Sequence, residues 1–421
     1  MLKLCYKIYK IDLENKLFII VNMTDVNKIK IMEEEGVEYL LTRYLYARDE
    51  VELSFVASLI SGKDLEECYY WGYELYYSGY DVFRIIWKIY YDFYYEYNPG
   101  LETIIRNKES LWRQNKKIHY LAVVISNLVP AKASGRVFVM RQYIERVCSV
   151  AGNSERGFAG RGRRPAWCQD YDSKYRLLLL SIHRKLYREV AFHIYQLLHN
   201  CDVIAYGEEL FIVILKYFAF ARGCPCPVHE ECLTAYEKLL THNIFCIIPT
   251  YHWFIAIITC LMVGENYNNA PVYIHNNGIL NKMRAIEEDT IPLNKYGSEQ
   301  VYNTLKYKRY YGTIRFMLGF TLGRNGLGER LRDEALGRWQ HYVWNTPCWR
   351  ERLCKFGVDE NIEFENDDIL EEFYDRFGYE PDEQPIEIQQ QSIGALEGDW
   401  YKTVFCEEPC IKFNDGVLFV Y

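Results

Sequence analysis

With 421 residues, 50% of them hydrophobic and 25% charged, the chain holds too much apolar side chain to stay unfolded and is too long for one ordinary core. The formal charge is −8, but residues 359–387 carry thirteen acids against one arginine, a local −12, so the rest of the chain is +4. That balance excludes the broad basic face of a general nucleic-acid binder and marks the acidic segment as a solvated surface or a partner for something basic.

The N-terminus reads as strand rather than helix: LCYKIYKI, a DLEN turn and KLFIIVN predict a hairpin, and its lysines interrupt the apolar run that a signal peptide would need. Fourteen cysteines scattered along such a chain fit reduced thiols in an intracellular protein better than a disulfide framework.

Three helices with regular punctuation follow. Asp49, Asp64 and Asp81 stand at their starts, Gly62 and Gly79 at two of the stops, and Asn98, Pro99 and Gly100 at the third. Residues 67–97 of this stretch contain fifteen aromatic side chains. Helical phasing places Leu65, Cys68, Gly72 and Leu75 or Tyr76 on one buried side, and Val82, Ile86, Ile89 and Phe93 on another, with Trp71 and Trp87 helping to cover the core. Glu66, Glu67 and Glu74 fall away from the first seam, Arg84 and Lys88 from the second. Tyr70, Tyr77, Tyr91 and Tyr95 are expected to face outward with them as a partner-binding surface, since exposed tyrosine offers large contact area at low entropic cost.

Further helices are predicted over Glu102–Arg113, Lys117–Val129, Arg136–Cys148, Tyr175–Leu198, Glu208–Arg222, Glu230–Leu240, Glu299–Phe320 and Glu329–Trp344. Thr346 and Pro347 then cap and open CWRERLCKF. His183 and His193, ten apart on the expected Tyr175–Leu198 helix, read as surface or satisfied core groups. The segment GFAGRGRRP carries Arg156, Arg161, Arg163 and Arg164 in or beside it; a plain linker is the leading reading and a clamp on single-stranded nucleic acid the alternative.

CPCPVHEEC presents Cys224, Cys226, His229 and Cys232, which suit a structural zinc, although the spacing of the first pair is too tight for a zinc knuckle and no Pro-Cys-x-x-Cys completes a deaminase signature. Ordinary thiols, with no cofactor, are the leading reading. The run NIFCIIPTYHWFIAIITCLMVG could span a bilayer by length, but Pro249 to His252 break it, so a core helix over Tyr251–Val263 with Thr250 as N-cap is expected. LGRNGLGER lacks the Lys-Ser or Lys-Thr ending of a phosphate loop, and no Gly-x-Ser-x-Gly elbow occurs. Near the end, CIKF and VLFVY flank Asn414, Asp415 and Gly416 as a second hairpin.

Two stretches, Tyr44–Pro99 and EEFYDRFGYEPDEQ at Glu371–Gln384, resemble an uncharacterised protein family encoded by nucleocytoplasmic large DNA viruses, the giant viruses. The cysteine cluster and the Gly–Arg segment lie outside this likeness. The resemblance implies an intracellular viral protein, in host cytoplasm, viral factory or virion, and transfers no catalytic residue.

The expected fold is mainly α: an irregular stack of antiparallel helical hairpins with a small antiparallel β element from the terminal hairpins. Its parts are a hairpin and linker (1–35), a helical domain (36–150), the Gly/Arg-rich linker (151–171), a second helical domain (172–357), the acidic segment (358–398) and the closing hairpin (399–421). The leading functional expectation is a non-enzymatic interaction or scaffold protein that binds a protein partner. A nucleic-acid-binding accessory protein and a metal-dependent enzyme are the alternatives, and membrane association is not expected.

Overall fold

A computed structural model describes residues 40–43, 48–60, 65–144, 165–198, 203–222, 248–263, 338–377, 411–414 and 417–420. They are mainly α-helical. In chain order the helices are α1 (Arg48–Ile60), α2 (Leu65–Tyr77), α3 (Val82–Ile89), α4 (Leu101–Asn115), α5 (His119–Leu128), α6 (Arg136–Tyr143), α7 (Ser173–His183), α8 (Tyr187–Leu198), α9 (Val203–Arg222), α10 (Thr250–Val263), α11 (Trp339–Val343), α12 (Pro347–Lys355) and α13 (Asp367–Phe377). A π turn, Tyr90–Tyr94, continues α3, and a 3-10 turn, Ala166–Asp170, precedes α7. Two short strands, Ile411–Asn414 and Val417–Val420, pair antiparallel with Ile411 opposite Val420.

The local chemistry explains several boundaries. The Asp81 side chain accepts from the Arg84 backbone N–H at 3.3 Å, so it caps α3 as its sequence position predicts. At the end of α2, Gly79 has φ +88°; its N–H donates to the Tyr76 carbonyl at 3.0 Å and the Tyr80 N–H to the Leu75 carbonyl at 3.1 Å. This pair of bonds closes the helix with a left-handed residue that glycine adopts without a steric penalty. Pro347 opens α12 as expected and sits against that glycine, where an added Cβ would lie 3.1 Å from the proline Cδ. The helix Thr250–Val263 matches the expected core element within one residue, and no helix among the described residues is long and apolar enough to cross a membrane.

One buried cluster runs from Val51 in α1 to Ile258 in α10, so helices on both sides of residues 151–171 share a core. α2 lies at its centre. Every residue from Cys68 to Leu75 is buried, because α2 packs on α1, α3 and α5. Gly72 allows that approach: a Cβ there would meet Ile125 Cδ1 at 2.8 Å and Phe55 Cε2 at 3.1 Å. The Val82, Ile86, Ile89 and Phe93 seam and the Trp71 and Trp87 rings are buried as expected. Each such large apolar side chain contributes roughly 1.5–3 kcal/mol on transfer from water.

Three expectations are corrected. Glu74 is buried rather than outward, because Arg43 reaches it at 2.7 Å. Tyr175–Leu198 is not one helix: Lys185 takes φ 57°, the Leu186 N–H donates to the Ser181 carbonyl at 2.9 Å, and the chain breaks into α7 and α8, so His183 and His193 lie on different helices. The expected continuous helix over residues 81–97 changes at Tyr90 into the π turn, with Tyr95 N–H donating to the Tyr90 carbonyl five residues back at 2.9 Å.

Candidate functional site

The π turn changes which side chains face inward. One wider turn adds a residue to the helical circuit and shifts the phase of everything after it. Asp92, an acid amid tyrosines, is thereby aimed into the core, and all five residues Tyr90–Tyr94 are buried. The Ser134 N–H, donating to the Phe93 carbonyl at 2.7 Å, pins the turn from outside.

Asp92 meets two bases from different helices. Arg141 of α6 donates through Nε and a terminal nitrogen to the two carboxylate oxygens, both at 2.8 Å, a bidentate fork. His252 of α10 places Nε2 2.9 Å from Oδ1. The side chains are 0% (Asp92), 3% (Arg141) and 1% (His252) exposed. Burial alone would raise the Asp92 carboxyl, but the facing Arg141 and His252 outweigh it and hold the group well below the usual carboxylate range, so it is ionised.

A second polar layer surrounds this cluster. Glu102 of α4 is pushed up by burial, with the Arg106 guanidinium acting against the shift. Burial, reinforced by the Glu102 charge, drives the phenols of Tyr90, Tyr91 and Tyr95 well above their ordinary value. Glu96, 1% exposed, accepts from Ser134 Oγ at 2.6 Å and pairs with Arg136. An aspartate beside an imidazole is the orienting half of a general base. Here the aspartate is saturated by a bidentate guanidinium and the whole cluster is closed to solvent, so the chemistry it performs is to tie the π turn, α6 and α10 together.

The expected tyrosine surface is corrected in the same way. Tyr70 is 3% exposed and set edge-on to Trp71, because α2 is covered on all sides; Tyr91 is 0% exposed, because the π turn rotates it inward. Tyr77 and Tyr95 are half-buried against the core. Tyr91 and Tyr95 stack at 5.2 Å, whereas Tyr77 meets Tyr73 and Tyr76 and lies under the Arg43 guanidinium at 4.6 Å. Cys224, Cys226, His229 and Cys232, and Arg156, Arg161, Arg163 and Arg164, lie outside the described residues. Among the described residues no three His, Cys, Asp or Glu side chains are arranged to hold a metal ion.

Sequence reasoning missed Asp92, Arg141 and His252. Their common signal is an ionisable residue isolated in an apolar or aromatic run, in YYDFYY, VFVMRQY and PTYHWFI. A charge in such a place needs a partner. Comparison of the chain with protein-family models, with curated proteins and with solved structures finds no match.

Proposed function

We propose that the chain is a non-enzymatic α-helical scaffold that offers a rigid acidic surface to a basic protein partner. The observation that carries this reading is the exposure of all nine acids in residues 359–375, on a segment whose apolar side chains are anchored beneath them. Phe373 of α13 is 0% exposed and stacks on Trp339 at 6.1 Å; Trp339 meets Trp349 edge-on at 4.9 Å. Trp349 Nε1 donates to the Arg43 carbonyl at 2.8 Å, Thr346 Oγ1 to the Leu41 carbonyl at 3.2 Å, and Leu41 N–H to the Tyr342 carbonyl at 2.7 Å. Charges mounted on such a base need little ordering to bind, which preserves affinity.

The arrangement as a stack of antiparallel hairpins, with a β element drawn from both ends of the chain, belongs to the same proposal. So does the intracellular viral setting implied by the resemblance at Tyr44–Pro99 and Glu371–Gln384. The C-terminal strand pairing supports one half of that β element; the N-terminal half lies outside the described residues.

The test is parallel affinity purification of the wild-type chain and a variant carrying Asp367→Asn, Asp368→Asn, Glu371→Gln and Glu372→Gln. The expected outcome is a basic protein held by the wild type at low salt and lost from the variant, with unchanged helical circular dichroism. Recovery of the same proteins by both would overturn the reading.

A further inference from the structure

Phe220 is 57% exposed, the large hydrophobic side chain that stands out to solvent among the described residues. It is not alone. Trp167 of the 3-10 turn lies 6.3 Å from its ring, 5.4 Å from the His183 ring and 5.1 Å from Tyr217, with Tyr171 edge-on at 6.1 Å. His183 is exposed, and Trp167 partly so. The His183 Nδ1 to Tyr217 hydroxyl contact, 3.1 Å, fixes two of these rings from below. Arg176 Nε donates to the Tyr171 carbonyl at 2.8 Å and ties the end of the turn to α7. Phe220 is thus one end of a braced aromatic surface.

The charges around it are unevenly placed. α7 and α9 run side by side in the same direction, since Lys174 meets Glu209 at 2.9 Å near their starts and His183 meets Tyr217 near their ends. The acids of α9, Glu208 and Glu209, therefore stand at the opposite end from Phe220. Asp170 acts on Tyr171 along the turn, and Asp172 is engaged in capping α7, where it accepts from the Lys174 N–H at 3.1 Å. At the aromatic end, Lys216 precedes Phe220 by one helical turn and Lys185 follows His183 by two residues; both are exposed. No ion pair to these two lysines occurs among the described residues.

We propose that Trp167, His183 and Phe220, flanked by Lys185 and Lys216, form a stacking platform for single-stranded nucleic acid. Charge complementarity selects this occupant: the ligand must be anionic at short intervals and offer flat π faces, which unpaired nucleotides do regardless of sequence. An apolar protein helix would want a groove of aliphatic side chains without a cationic rim. This surface is separate from the acidic one at residues 359–375 and does not depend on it. Arg163 and Arg164 closely precede Trp167 in the sequence but lie outside the described residues and are no part of the platform.

The test titrates the full chain with a poly-uridine or poly-thymidine oligonucleotide, following tryptophan fluorescence, against a duplex of equal length and inorganic polyphosphate. Quenching is expected with the single strands. Log affinity should fall with log salt at a slope of about −1.4, from two phosphate contacts at roughly 0.7 each. Phe220→Ala should weaken binding about tenfold, within what stacking on one ring supplies. Lys185→Ala and Lys216→Ala together should remove most of the salt dependence. All three positions are exposed, so these variants fold. Absence of binding at low salt, equal affinity for duplex or polyphosphate, binding unchanged by Phe220→Ala, or an apolar helical peptide that displaces the oligonucleotide would each overturn the proposal.

Discussion

Residues 67–97 and the patch around Trp167 and Phe220 are both aromatic, yet the denser of the two is the one sealed from solvent. In the first, several polar tips are given internal partners: Trp87 Nε1 donates to Glu109 at 2.6 Å, Tyr90 hydroxyl to the Asn98 and Pro99 carbonyls at 3.0 Å, and Tyr69 pairs with Ser126. Tyrosines so satisfied are core residues with polar ends. In the second, Tyr217 bonds to His183, but Phe220 has no polar tip to satisfy and stands in solvent. Aromatic density therefore measures packing, and the ring left uncovered, Phe220, is the one on which the proposed platform rests.

The largest effect that would break this contrast is expected at Asp92. Asp92→Ala removes the carboxylate that faces Arg141 and His252 and takes the bidentate fork from a buried guanidinium. Breaking a buried pair in this way costs about 3–5 kcal/mol. Urea denaturation should show that loss, and binding of an apolar dye should rise as the tyrosine run opens. If the loss is below about 1 kcal/mol, the cluster is not what holds the π turn in place.

An intermediate effect is expected in α8, which packs on α6 and α10 at the sealed region and on α7 beneath the patch. His193 of α8 is buried, and that burial lowers its pKa from 6.5 to about 4. The unfolded chain therefore binds a proton between these values that the folded chain refuses. The stability this group contributes is full above about pH 6.5 and is lost as pH falls towards 4, by up to about 3 kcal/mol at 1.36 kcal/mol per unit. Denaturation midpoints measured across that range should fall with pH for the wild type and flatten for His193→Gln. A wild-type slope that His193→Gln leaves unchanged would assign the titration to another group.

Much of the local structure was legible because caps and periodic seams act over a few residues. Asp81, Gly79, Thr346 with Pro347, and the Thr250–Val263 helix fell where short-range rules put them. What escaped was set by tertiary contact. Nothing within a turn of Tyr90 demands a π turn; the demand comes from Arg141 and His252, 49 residues beyond Asp92 and 160 residues beyond it. Glu74 looked solvent-facing because its counterion Arg43 lies 31 residues away. Lys185 has no glycine to announce its left-handed turn. Tyr91 and Tyr95 were misplaced for the same reason, since the wider turn changes the face of the residues in and after it, whereas Tyr70 was misplaced because α2 packs on α1, α3 and α5 at once.

The smallest effect gives the sharpest form of the comparison. Phe220→Ala deletes a ring that is more exposed than buried, so little transfer free energy is at stake and the change in stability should stay within about 0.5 kcal/mol. In residues 67–97 the same truncation, Phe93→Ala, removes a ring 1% exposed that stacks on Phe138 at 5.1 Å, and a core truncation of this kind costs about 3–5 kcal/mol. Paired urea titrations read both. A Phe220 kept for packing would show a loss comparable to Phe93; a Phe220 kept for a ligand shows none while oligonucleotide affinity falls. The two variants thus separate an aromatic side chain that builds the protein from one that the protein displays.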